Sequence, residues 1–77
     1  MDITDKRITN ELSAGSYLAL CQRICDEVGI AAKFTNGWTM TGTSFTTSSY
    51  ANSRDGRPNR VDITLEYSTH RAIVTVK

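Results

Sequence analysis

Apolar residues recur with a period near 3.6 up to Gly29 and with a period near two after it. That switch predicts one helix followed by strands. Over residues 16–28, Leu18, Cys21, Cys25 and Val28 share one stripe, flanked by Tyr17, Leu20 and Ile24. Ala19, Gln22, Arg23, Asp26 and Glu27 share the opposite stripe, which is the pattern of a surface helix with one buried side. Asn10 or Ser13 can cap the free N–H groups at its start, and Gly15 places the solid part of the helix near itself. Gly29 suits the left-handed residue past the helix end, with Ile30 as the apolar residue that closes such a motif. Residues 1–9 carry no clear period and read as a helical turn or as an arm packed by Ile8.

Beyond Gly29 the pattern reads as four strands. Asn36-Gly37 lies between two strand-like runs and predicts a hairpin. A three-residue loop there pairs Phe34 with Trp38 and Ala32 with Met40, keeping every apolar residue on one face. Trp38 and Met40 are even and Phe45 is odd, so an extra residue near Gly42 or Thr43 is expected, as a bulge or a bend, to return Phe45 to that face. Residues 51–59 have the chemistry of a loop. Val61, Ile63, Leu65 and Tyr67 alternate with polar residues, as do Ala72, Val74 and Val76. Pairing Tyr67 with Ala72, Leu65 with Val74 and Ile63 with Val76 keeps all six inside.

The expected fold is therefore a two-layer α+β domain spanning residues 1–77, with one N-terminal helix on a four-stranded antiparallel meander. Residues 30–35 and 72–77 would be its edge strands. Its open face would show Lys33, Thr35, Thr39, Thr41, Asp62, Thr64, Glu66, Ile73 and Thr75. Seventy-seven residues suffice for one core, and the chain reads as a complete small protein.

Net charge of +1 gives no bulk attraction to nucleic acid or anionic membrane. The charge is unevenly placed, with three basic and five acidic residues up to Gly29 against six basic and three acidic after it. No apolar run approaches the roughly 20 residues of a membrane-spanning helix, and the first ten residues are too polar for a signal peptide. A cytoplasmic setting is expected.

Catalytic and metal chemistry find little footing. Cys21 and Cys25 lie four apart on the apolar stripe and read as small core side chains, with His70 the one histidine available to complete a metal site. His70 sits in a turn with no nucleophile motif to serve. Asp62 and Glu66 share a strand face, but four residues apart they stand about 13 Å from each other, too far for a glycosidase pair. Thr39, Thr41 and Thr43 form one short threonine run with no repeat, which β propensity explains. Neither a catalytic residue, a metal site nor a cofactor is expected.

Binding chemistry concentrates in the loop that carries Arg54, Arg57 and Arg60. Three guanidiniums beside Tyr50 can grip phosphates or carboxylates and stack on a partner, with Arg71 and Lys33 as further cations. The leading expectation is a non-enzymatic protein-binding module or inhibitor using the open face, an edge strand or this loop. In size and architecture the chain is similar to small phage-encoded accessory proteins, anti-CRISPR inhibitors of bacterial defence among them, although no motif carries that likeness. Two further expectations are nucleic-acid binding through the arginine loop with Lys33, Arg71 and Lys77, and a homodimer joined through edge strands.

Overall fold

A computed structural model describes residues 1–34, 37–52 and 58–77. Among them are one helix, α1 (Ala14–Glu27), and five strands: β1 (Asp2–Thr4), β2 (Trp38–Thr41), β3 (Ser44–Asn52), β4 (Pro58–Glu66) and β5 (Arg71–Val76). The strands form one antiparallel sheet in the order β1-β5-β4-β3-β2, so the α+β class stands with five strands where four were expected.

Ser13 is the cap of α1, its hydroxyl accepting from the Ser16 N–H. At the other end Gly29 has φ of 81°; its N–H donates to Asp26 and the Ile30 N–H to Cys25. These two bonds are the Schellman closure that the Gly-Ile pair predicts. Tyr17, Leu20, Cys21, Ile24 and Cys25 are buried while Leu18 is half-buried, so the inner stripe is rotated toward Tyr17 and Ile24. It packs on Phe45, Ile63, Leu65, Ala72 and Val74, the inward residues of three successive strands.

Three strand expectations need correction. The first is the hairpin at Asn36-Gly37. Thr35 and Asn36 lie outside the described residues, but Ala32 and Trp38–Thr41 both pair antiparallel with β3, so the chain does not fold back between them. Residues 30–34 form no strand because the Gln22 side chain takes their backbone: it donates to the Ala32 carbonyl at 2.6 Å and accepts from the Phe34 N–H at 3.0 Å. The second is the bulge near Gly42. The chain reverses there in a two-residue turn closed by Thr41↔Ser44, with Gly42 at φ of 59°. A two-residue turn pairs even with odd positions, so Met40 and Phe45 share a face with no extra residue. The third is the last hairpin, where the register is Leu65↔Ala72, Ile63↔Val74 and Val61↔Val76, two residues from the predicted one. A step of two preserves the faces; the turn keeps four residues but moves one place toward the N-terminus, to residues 67–70, with His70 at φ of 53°.

The N-terminal segment is the arm packed by Ile8, which is fully buried, and it also contributes β1. β1 covers β5, so β5 is interior and the edges of the sheet are β1 and β2. The face away from α1 carries Thr39, Thr41, Asp62, Thr64, Glu66, Ile73 and Thr75 as expected. Lys33 belongs to no strand, and Thr35 is outside the described residues.

Candidate functional site

Backbone pairing fixes which way the groups of β2 point. The turn that closes on Thr41↔Ser44 directs the N–H and C=O of Thr41 toward β3. Alternation then turns Thr39 inward and Trp38 and Met40 outward. The Tyr67 N–H donating to Thr43 on the far side of β3 agrees with this phase. Trp38 and Met40 therefore present donors and acceptors along an edge of the sheet, with no backbone partner among the described residues.

Their side chains lie on the helix-bearing face, beyond the reach of α1. Trp38 is 48% exposed and Met40 42%, although both read as core in the sequence. Trp38 rests on Phe45 with ring centroids 5.6 Å apart, and Phe45 rests on Tyr17 at 4.9 Å. The stack holds the indole in place while leaving its outer side wet. Thr47, buried below Trp38, donates to the Gly37 carbonyl at 2.9 Å and satisfies its own hydroxyl. β2 bears no charge, and charge is the usual guard of an edge strand.

The predicted binding residues fall into two places. Tyr50, 66% exposed, pairs across the sheet with Arg60, and the Lys77 N–H donates to the Arg60 carbonyl. Lys33 lies at the same end, its carbonyl accepting from the Ser49 hydroxyl. Asp62 takes hydrogen bonds from Ser48 and Arg60 and an ion pair from Lys77, and the first two hold its carboxyl below the usual range. Arg60 is thus partly neutralised by its neighbour. Arg54 and Arg57 lie outside the described residues. Arg71 is at the opposite end of the sheet, paired with Glu66 and bridged to Asp2.

Burial pushes the Cys21 thiol up to about 12 and the Cys25 thiol up to about 11, away from the nucleophilic thiolate. His70 donates from Nδ1 to the Ile8 carbonyl and accepts at its own carbonyl from the Asp5 N–H, so it fastens the N-terminal arm. Hydrogen bonds from Ser44, Thr43 and Ser68 hold Glu66 down to about 2. Among the described residues no cluster of His, Cys, Asp and Glu could hold a metal ion, and no helix is long and apolar enough to cross a membrane.

The exposure of Trp38 and Met40 is not legible in the sequence, because alternation reports the face of a residue and not its distance from the covering helix. No family model matches the chain, and neither the curated proteins nor the solved structures include a match.

Proposed function

We propose that this chain is a non-enzymatic protein-binding module that accepts an extended strand of its partner along β2. One observation carries the reading: an uncharged edge whose outward backbone groups sit beside two half-exposed apolar side chains, Trp38 and Met40. Strand addition draws affinity from main-chain hydrogen bonds and specificity from alternate side chains, and this edge offers both. Tryptophan is also among the residues that dominate binding energy when a partner covers them. A binder of this kind inhibits when the strand it captures is needed elsewhere. The likeness to phage-encoded anti-defence inhibitors adds only size and architecture.

A second reading is favoured by the exposed Tyr50 beside Arg60, with Lys33 and Lys77 at the same end. A ring next to cations suits single-stranded nucleic acid.

Affinity capture separates the two. Immobilised protein is compared with Trp38→Lys and with Arg60→Ala. Proteins retained by the parent and by Arg60→Ala, but lost from Trp38→Lys, support the edge. Retention that survives Trp38→Lys overturns it. Salt-sensitive retention of a single-stranded oligonucleotide, lost with Arg60→Ala, supports the second reading.

A further inference from the structure

We infer that the strand added to β2 is β2 of a second copy of this chain, an inference that rests on the edge-binding reading above. Two copies related by a two-fold axis normal to the sheet can pair only in registers that keep side chains on matching faces, so paired residue numbers must sum to an even value. The register centred on Thr39 places Trp38 opposite Met40 of the second copy and Met40 opposite Trp38.

Those are the two positions whose N–H and C=O groups point outward. The register therefore forms four backbone hydrogen bonds, two at each Trp–Met pair, and leaves none of these outward groups unpaired. On the helix-bearing face each indole, already resting on its own Phe45, meets a thioether from the other copy. Sulfur against an aromatic ring is a favourable contact. A strand that pairs with itself brings its own charges close to their copies, and residues 38–41 carry none. Hydrophobic cover, hydrogen bonding and electrostatics thus agree on one register within a four-residue strand. The shared surface is small, so the dimer dissociates on dilution.

Thr39 gives the test its register. It stands on the axis as a non-hydrogen-bonded pair, where Cα atoms approach to about 4.5 Å, inside the range a disulfide spans. Thr41, equally exposed on the same strand, would meet Gly37 of the second copy. Single variants Thr39→Cys and Thr41→Cys are oxidised at matched concentration, with folding checked by circular dichroism. The native thiols are buried and do not compete. We expect Thr39→Cys to give a disulfide-linked dimer at least tenfold faster than Thr41→Cys. Sedimentation of the parent should show a monomer–dimer equilibrium that Trp38→Lys abolishes. Equal cross-linking of the two variants, or a parent that stays monomeric at millimolar concentration, overturns self-pairing. If in that case Trp38→Lys still loses a captured protein, the edge reading survives with a foreign strand. If it loses none, both fail.

Discussion

The two edges of the sheet are held by different forces. β1 is fastened by polar contacts: Asp2 to Arg71, the N-terminal ammonium to the Val74 carbonyl, the Asp5 N–H to His70, and Arg7 to both Asp5 and Glu27. β2 is fastened by a two-residue turn and by an indole lying on Phe45. Water tolerates the first edge, since charged groups there keep their hydration. The second edge leaves apolar surface half-covered and has no charge to repel an incoming strand. The contrast implies that only one edge is built to stay alone.

The strongest way to break this contrast is at the ring beneath Trp38. Phe45 is 1% exposed and stacks on both Tyr17 and Trp38. Phe45→Ala should cost about 3–5 kcal/mol of folding stability, read as a lower urea midpoint. Trp38 is the one tryptophan, so its fluorescence should shift to the red in the folded variant as the indole loses its platform. A loss below about 1 kcal/mol would show that the stack does not organise β2.

Next in size is the turn. Gly42 has φ of 59°, where an L side chain is strained although space around it is open. Gly42→Val should destabilise by about 1–3 kcal/mol, again read in urea, with the loss concentrated in β2 and β3 amides by hydrogen exchange. An unchanged midpoint would mean that the β2 edge does not depend on this turn.

How far the two edges could be read in advance follows from what fixes each. The helix, its Ser13 cap and the Gly29–Ile30 closure were legible because their determinants are local. The alternating runs from Val61 to Tyr67 and from Ala72 to Val76 are legible as strands for the same reason, but Tyr67 falls past the end of β4 and Val76 is exposed, not inside. Residues 30–34 resemble a strand in sequence, yet their backbone is claimed by Gln22, a long-range bond that no alternation encodes. β1 has three residues, too few for a period, and its place beside β5 depends on pairing across the whole chain. Alternation gives the face of Trp38 and Met40, but where the helix stops covering that face is a property of the assembled layers. The cationic cluster was half legible: Tyr50, Arg60 and Lys33 do gather at one end, whereas Arg71, placed among them by charge alone, does not.

Acid should sharpen the contrast. Hydrogen bonds from arginine hold Asp2, Asp5 and Glu27 below their ordinary values of 3.8, 3.8 and 4.5. A carboxyl whose folded pKa is depressed contributes stability that is complete above its unfolded pKa and is lost as pH falls through the folded one. The β1 ties should therefore loosen below about pH 4.5. No residue of β2 titrates in that range. Hydrogen exchange at pH 3 against pH 7 should show the Asp5 and Val74 amides, which donate to His70 and Met1, losing more protection than those of Thr39 and Thr41. Equal losses at both edges would remove the electrostatic account of β1.

The smallest expected change in stability comes from giving β2 the guard that β1 already has. The Thr39 side chain is exposed on the open face, and the backbone groups of this residue point inward to β3, so Thr39→Lys removes no hydrogen bond within the fold. Folding stability should stay within about 0.5 kcal/mol of the parent, as for most surface substitutions. Association at the edge should nevertheless fall, because an incoming β2 would bring a second lysine directly opposite the first, and like charges in that position repel. A foreign strand with an acidic residue at the same position would bind the variant better than it binds the parent. Sedimentation together with a urea titration on one preparation reads both quantities. Unchanged stability with lost association means that the openness of β2 concerns binding and not folding. Association that persists with two lysines opposed would show that strand pairing at this edge does not pass through Thr39.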